Sequence, residues 1–204
     1  MYKSNMTRWA LGAAAIALVF ATAAFAQQQG RIRGQIEKAD GSMLSLKTRD
    51  GTMLNVKVAD DARVTALVKA SIADIKPDTY IGVASTPRPD GSVEAFSIHI
   101  LPAALRGQGE GERPWDARPG STMMNAYFAS VISNAGGYTL TVKVKDGEKK
   151  VIVTSATVVA AAAPADRSEL KVGAQIIIFG WDKQSDGSVL AKSMYVGRGV
   201  TPAM

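Results

Sequence analysis

The feature that most constrains the fold of this chain is an internal repetition at a nearly constant spacing. Residues 41–51 (GSMLSLKTRDG) match residues 137–147 (GYTLTVKVKDG) at an offset of 96 positions. Residues 90–100 (DGSVEAFSIHI) match residues 186–196 (DGSVLAKSMYV) at the same offset. Self-similarity at one fixed spacing indicates that a single structural unit occurs twice. The sequence therefore predicts two copies of one domain.

Each copy has the pattern of five short strands. In the first copy, apolar residues alternate with polar ones near 32–36, 44–46 and 54–58, and apolar runs follow near 81–83 and 93–100. A period of two is typical of a strand with one buried face. Asp-Gly pairs between the predicted strands favour tight hairpin turns.

Five strands with a longer link after the third are typical of an OB-like barrel. We therefore predict an all-β protein of two tandem five-stranded OB-like barrels, with a pair of small β-sandwiches as the alternative. The third strand is expected to end near Asp60 and Asp61, and residues 65–75 and 164–170 form the links, the first with room for a short helix.

The N-terminal residues predict export. Lys3 and Arg8 precede an apolar run at 10–20, and the small residues that follow end in Ala24-Phe25-Ala26. This order is typical of a cleaved signal peptide, with cleavage after Ala26; a retained membrane anchor is the alternative. Beyond residue 26 no apolar stretch reaches the 18 residues of a spanning helix. We expect a periplasmic or secreted protein that is not integral to a membrane.

These observations predict five segments. They are a signal peptide at 1–26, an OB-like barrel at 27–102, a Gly/Pro-rich connector at 103–124, a second barrel at 125–200 and a tail at 201–204.

The turn and core residues also resemble those of a known family. The shared features are the Asp-Gly hairpins, an Ile-Lys or Leu-Lys pair before the fourth strand, and the DGSVxA sequence that leads into the fifth. The segments RPWD at 113–116 and PGSTM at 119–123 resemble the inter-repeat region of two-copy, alphaproteobacterial-type members. The chain thus resembles an uncharacterised family of exported bacterial OB-like β-domain proteins. The resemblance implies the fold and assigns no catalytic or ligand residue.

The composition restricts the possible chemistry. The chain has no Cys and one His, His99, which excludes disulfides, Cys-based zinc sites and Cys nucleophiles. His99 is expected to be a surface strand residue, and the glycines of 107–111 are expected to belong to a linker, because a phosphate-binding loop would lead into a helix. We expect no enzyme activity and no cofactor.

A basic hairpin in the second copy is the candidate binding site. Four lysines and one tyrosine contribute to it: Lys143, Lys145, Lys149, Lys150 and Tyr138. The formal net charge of the chain is +6. Strands two and three often form the binding face of OB-like barrels. The hairpin predicts an anionic envelope component as partner (a glycan, phosphate or lipid head group), or an envelope protein. The alternative is a solvated strand face that discourages aggregation. Aromatic side chains are too sparse to predict nucleic-acid binding.

Two further predictions concern packing and metals. Trp115, in the connector, and Trp181 are expected to seal the contact between the two barrels. The eight methionines and the scattered aspartates leave open a second function, as a periplasmic accessory in copper or other divalent-metal handling. No metal-ligating residues stand out, because each Asp-Gly aspartate is solitary and the methionines form no regular series.

Overall fold

The computed structural model describes residues 30–145 and 147–202. The predicted signal peptide, Asp146 of the predicted second-copy turn and the last two residues of the predicted tail lie outside this part of the chain. No helix among the described residues is long and apolar enough to cross a membrane.

The described residues form an all-β fold, as predicted, with three single-turn 3-10 helices and no α-helix. Eleven strands make up one hydrogen-bonded sheet. They are β1 (Ile32–Asp40), β2 (Met43–Thr48), β3 (Met53–Lys69), β4 (Tyr80–Pro87), β5 (Val93–Ile100), β6 (Gly111–Pro114), β7 (Thr122–Asn134), β8 (Gly137–Val144), β9 (Gly147–Pro164), β10 (Gln175–Lys183) and β11 (Val189–Arg198).

Five of these strands close into a barrel, called ring one below. The strand β1 pairs with β2, β2 pairs with β3, and β3 pairs in parallel with β11. The hairpin of β11 and β10 then returns to β1 through an antiparallel ladder. Alternate side chains of these strands fill one apolar core, which includes Ile36, Leu46, Val56 and Ile178.

A second set of strands, called ring two below, makes the corresponding cycle of pairings. The strand β7 pairs with β8, β8 with β9, and β9 in parallel with β5. The hairpin of β5 and β4 returns to β7, and β6 adds to the outer edge of β7. Its own core includes Ile81, Val83, Leu140 and Val142.

The order of strands corrects the predicted tandem arrangement, in which each half of the chain closes its own barrel. Ring one combines β1–β3 of the first half with β10 and β11 of the second, and ring two makes the reverse combination. The physical reason is the length of the third strand of each half. The strands β3 and β9 are 17 and 18 residues long and pair with each other through Thr65–Lys69 and Ala160–Pro164. This ladder places each half's closing hairpin beside the other half.

The predicted end of β3 at Asp60 and Asp61 was wrong. Opposite these residues the β3–β11 register shifts, so that Val58 pairs with Ala191 and Arg63 pairs with Ser193. The extra residues form a bulge, which bends a strand without ending it. Both carboxylates are exposed there, and the strand continues to Lys69. The link after β3 is therefore short, with a 3-10 turn at Ile72–Asp74.

The predicted Asp-Gly turns lie at the hairpins before β3, β5 and β11, whereas the β7–β8 hairpin turns at residues 135–136. At Asp50, Asp90 and Asp186 the carboxylate accepts a hydrogen bond from the backbone N–H two residues later. The glycine that follows each aspartate has a positive φ of 80–85°, a conformation that favours glycine. The hydroxyls of Thr48, Ser92 and Ser188 also donate to these carboxylates. These hydroxyl bonds are the largest cause of the lowered pKa of the three carboxyls, and the backbone bonds add to it.

Engineered disulfides distinguish the two arrangements cleanly, because the protein has no cysteine. The Cα atoms of Lys57 and Leu190 are ladder partners, a spacing that allows a disulfide. We expect Lys57→Cys/Leu190→Cys to oxidise within one molecule. The matched control is Lys57→Cys/Glu94→Cys. Glu94 is the position in the first half that corresponds to Leu190 in the second, 96 residues later, so it would pair with Lys57 if each half closed its own barrel. Free-thiol titration and peptide mapping measure the bond, and oxidation of the control pair alone would contradict the interleaved order.

Candidate functional site

The candidate site is an open groove of about 490 Å³ between the two rings, called the inter-ring groove below. Both rings and the connector contribute to its walls. Its cationic residues are Arg31, Arg63 and Arg113, and its aromatic residues are Trp115, Phe179 and Tyr195. Amide and hydroxyl side chains also line it, including Gln108, Asn125, Thr65 and Ser193. The groove thus combines positive charge with apolar and hydrogen-bonding surface.

Trp115 is the centre of the groove wall. It is 8% exposed and packs with Phe96 and Met123 of ring two and Ile177 of ring one. A tight loop holds it: the Trp115 N–H donates to the carbonyl of Ser121, whose hydroxyl lies 3.1 Å from the Trp115 carbonyl. The indole Nε1 is buried without a hydrogen-bond partner among the described residues.

Arginines surround this indole. The Arg31 guanidinium carbon lies 3.8 Å from the ring centroid, and those of Arg113 and Arg33 lie 5.7 Å and 5.9 Å away. Cation–π attraction of this kind stabilises by about 0.5–2 kcal/mol per contact. The packed tryptophan therefore helps to fix Arg31 and Arg113, two of the three cations that line the groove.

One carboxylate balances part of this charge. Asp116 accepts hydrogen bonds from the Arg33 guanidinium at 2.7 Å and from the Arg31 backbone N–H at 3.0 Å. Partial burial raises the pKa of Asp116, but the hydrogen bonds and charges of the two arginines outweigh it and hold the pKa below its ordinary value. Asp116 therefore stays ionised and anchors the segment before β1 to the connector.

The remaining arginines are crowded. Burial, followed by the charges of Arg33 and Arg113, lowers the pKa of Arg31 despite the opposing effect of Asp116. Burial likewise lowers the pKa of Arg113. Cations held partly out of water beside one another are stabilised by an added anion. The electrostatics of the groove thus favour a negatively charged ligand.

The strand β6 holds Arg113 in place. The sequence predicted a connector loop here, but Gly111–Pro114 pair with β7, which begins at Thr122, inside the predicted connector. Arg113 donates to the Gly109 carbonyl at 2.9 Å. Gly107 and Gly109 lie in the turn before β6, and Gly111 is the first residue of that strand.

The structure brings Lys149 and Lys150 of the predicted basic hairpin to one depression, which Glu112 and Glu148 also line. Ladder partners share a face of a sheet, and Lys143 pairs with Glu148, whereas Lys150 pairs with Thr141 and donates to its hydroxyl at 2.7 Å. Lys149 pairs with Val142, so its side chain points to the opposite face of the hairpin from those of Lys143 and Lys150. It forms an ion pair with Glu112 of β6.

The two remaining residues of the predicted site lie at separate positions. Lys145 is exposed in the turn after β8. Tyr138 is 40% exposed at the far end of β8. The five predicted residues therefore do not all line one cavity, and carboxylates lie beside the lysines among them.

Trp181 lies apart from Trp115. The β10–β11 register shifts on both sides of Gly180, so the side chain that follows reverses its direction. Trp181 packs against the ring-one core and donates its indole N–H to the Gly30 carbonyl at 2.9 Å. Only Trp115 of the predicted pair lies in the cluster that joins the rings.

His99 is buried rather than on the surface, which corrects the sequence prediction. It is 1% exposed on β5, and its Nε2 lies 2.7 Å from the Ser97 hydroxyl. Burial lowers the pKa of His99 to about 3. Nδ1 has no partner among the described residues, so no third group orients the ring. A base of such low pKa, shielded from solvent, is a poor activator of a hydroxyl.

The described residues contain no group of three or more His, Cys, Asp or Glu side chains that could hold a metal ion. Met123, Met124 and Met194 are core residues with 1% exposure or less.

Comparison with family models, with curated proteins and with solved structures found no match to this chain.

The groove could not be predicted from the sequence because its arginines lie far apart in the chain. Arg31 precedes β1, Arg63 lies within β3 and Arg113 lies in β6. The one local signal was the connector, where Trp115 stands between two Arg-Pro pairs. A large aromatic residue in an otherwise Gly-rich segment indicated a packed loop, but not the cations that surround it.

Replacing Trp115 tests its role in joining the rings. We expect Trp115→Ala to lower the free energy of unfolding by about 3 kcal/mol, the range for truncating a buried aromatic residue. Trp115→Phe should lose less than half of this, because it keeps part of the apolar contact. Urea unfolding followed by circular dichroism measures both variants. A loss below about 0.5 kcal/mol for Trp115→Ala would place the residue among ordinary surface positions.

The buried His99 predicts a specific pH dependence. Its pKa in the folded state lies near 3, below the ordinary value of 6.5, so the unfolded chain binds the extra proton as the pH falls below 6.5. Its contribution to stability is therefore complete above pH 6.5 and is lost as the pH falls toward 3. Between pH 8 and pH 5, we expect the wild type to lose about 2 kcal/mol more than His99→Gln. Equal losses in urea unfolding would show that His99 does not stay neutral in the fold.

Proposed function

We propose that this protein is an exported, non-enzymatic binding module with two OB-like barrels, and that it holds an anionic ligand in the inter-ring groove. The observation that carries the proposal is the set of three arginines that line the groove, Arg31, Arg63 and Arg113, the first and last of which pack on the buried Trp115. Guanidinium groups bind carboxylates and phosphates with well-defined geometry. Export is proposed from the N-terminal sequence pattern.

The pattern of pairings supports the duplicated OB-like architecture. The ladder of β11 with β3 has three pairs, a shift and further pairs, and the ladder of β5 with β9 has the same sequence of features. Both rings are five-stranded with the irregular link after the third strand, which is typical of OB-like barrels. We infer that the halves descend from one unit.

The groove is a better candidate than the basic hairpin. Its three arginines line one cavity, whereas Asp116, which is hydrogen-bonded to the Arg33 guanidinium and the Arg31 backbone N–H, is not among the residues that line it. The hairpin lysines are accompanied by Glu148 and Glu112. Because charges of opposite sign cancel each other at a few ångströms, the hairpin presents less net positive potential to a ligand.

A titration at low ionic strength tests the proposal. The probes are trigalacturonate, inorganic pyrophosphate and phosphatidylglycerol vesicles, measured by calorimetry or co-sedimentation. We expect at least one of them to bind, and Arg63→Gln/Arg113→Gln to weaken that binding at least tenfold.

The matched control is Lys143→Gln/Lys150→Gln, which removes the same charge from the hairpin and should change the affinity less than threefold. Loss of binding in this control, with the groove variant unaffected, would move the site to the hairpin. Failure of all three probes to bind would count against the function. Melting temperatures of both variants confirm that they fold.

A further inference from the structure

The inter-ring groove continues into two neighbouring depressions. Arg31 lines both the groove and a recess of about 370 Å³ that also contains Arg33 and Arg49. Arg33 and Arg49 in turn line a third depression, of about 280 Å³, beside Lys47. Because the depressions share side chains, they are adjacent to one another, and the cationic surface that lines them, from the groove to the β2–β3 hairpin, is called the arginine track below.

The arginine track carries a net positive charge, and its two carboxylates lie in the middle recess. The cationic side chains that line it are Arg31, Arg33, Lys47, Arg49, Arg63 and Arg113, and the carboxylates are Asp50 and Asp116. Both carboxylates already accept hydrogen bonds from the protein, Asp50 from Thr48 and Asp116 from Arg33. Burial, followed by the charges of Arg33 and Arg118, lowers the pKa of Arg49. Repulsion among the cations therefore extends beyond the groove.

This extent argues for a chain-like ligand. A small anion occupies one depression and does not reach the cations that line the other two. A polymer with regularly spaced negative charges can neutralise cations in all three depressions, and each contact releases counterions, which adds to the affinity.

The lining of the groove indicates the chemical class of such a polymer. Gln108, Thr65 and Ser193 offer amide and hydroxyl groups suited to sugar hydroxyls, and Leu101 and Leu105 offer apolar surface suited to the C–H faces of a sugar ring. Single-stranded nucleic acid needs open aromatic faces for its bases. Trp115 is buried with Arg31 over its ring, and Phe179 and Tyr195 pack on each other in a T-shaped contact, so these aromatic surfaces are already partly covered.

We propose that the ligand of the arginine track is a linear acidic polysaccharide, bound through its carboxylates from the inter-ring groove to the β2–β3 hairpin. This inference rests on the proposed function and adds the length and class of the ligand. The groove binds one segment of the polysaccharide, and Lys47 and Arg49 bind a segment further along.

The test compares a short and a long oligogalacturonate, a trimer and a dodecamer, as probes. Arg63→Gln/Arg113→Gln removes the groove end of the track, and Lys47→Gln/Arg49→Gln removes the hairpin end. Lys143→Gln/Lys150→Gln again provides the matched loss of two charges elsewhere. Lys47 and Arg49 are exposed, so their replacement should leave the fold intact, and melting temperatures check this.

We expect the trimer to lose affinity at least tenfold only with the groove variant, and the dodecamer to lose at least tenfold with either track variant. The fall of log affinity with log salt concentration should become shallower by about two for the dodecamer in the hairpin-end variant, because two contacts between a cation and the polymer are lost. If that variant leaves both the dodecamer affinity and the slope unchanged, the extended track is wrong. If the trimer still binds in the groove, the proposed function survives that result.

Two comparison polymers test the ligand class. A polyphosphate and an oligothymidylate of the same charge number as the dodecamer are titrated under the same conditions. We expect both to bind at least tenfold more weakly than the oligogalacturonate. Equal or tighter binding of either, with the same dependence on the track variants, would replace the polysaccharide with that polymer class. Absence of binding by the trimer and by all the polymers would overturn both the inference and the proposed function.

Discussion

The antiparallel ladder between β3 and β9 is the constraint on which the rest of the structure depends. Five ladder pairs, from Thr65 with Pro164 to Lys69 with Ala160, join the ends of the two longest strands. A strand edge in a sheet must be paired or protected. Once β3 and β9 lie side by side, the remaining edge of each is closed by the hairpin of the opposite half. Each ring is thereby completed by strands that lie far away in the sequence.

The groove follows from the same constraint. Because the rings exchange hairpins, the outer faces of β4 and β10 are brought against one another and enclose Ala84, Phe96 and Ile177. The connector crosses this junction and inserts Trp115 into it. The arginines then pack on the indole and on Asp116, so the positive surface depends on an apolar contact. A change in the packing at Trp115 should therefore alter the charge arrangement as well as the stability.

Local features of the sequence predicted local features of the fold. Period-two alternation placed strands at β1, β2 and the start of β3, and the Asp-Gly pairs placed the turns before β3, β5 and β11. These signals are short-range because strand formation and turn geometry depend on a few neighbouring residues. The alternation gave no information on which strands pair, since two similar halves offer each strand two equivalent partners.

The bulge at Asp60 and Asp61 explains much of what was missed. Two adjacent charged residues resemble the end of a strand, and here they lie on its exposed bend. Without a long β3, the exchange of hairpins could not be predicted. The candidate site was missed for a related reason, because its arginines come together only after the exchange. His99 was misjudged because the face of β5 that a single barrel would expose is buried here.

The interleaved order also has a consequence for how the chain acquires its structure. Ring one requires Ile32 at one end of the described chain and Val196 near the other, so its closing contacts have a very large sequence separation. Folding rates fall as such separations grow. The meander of β1, β2 and β3 can form early, but its open edges remain unpaired until the last hairpin arrives. A nascent or freshly unfolded molecule therefore passes through an interval in which it is vulnerable to association with other chains, and a holding chaperone would be most useful during that interval.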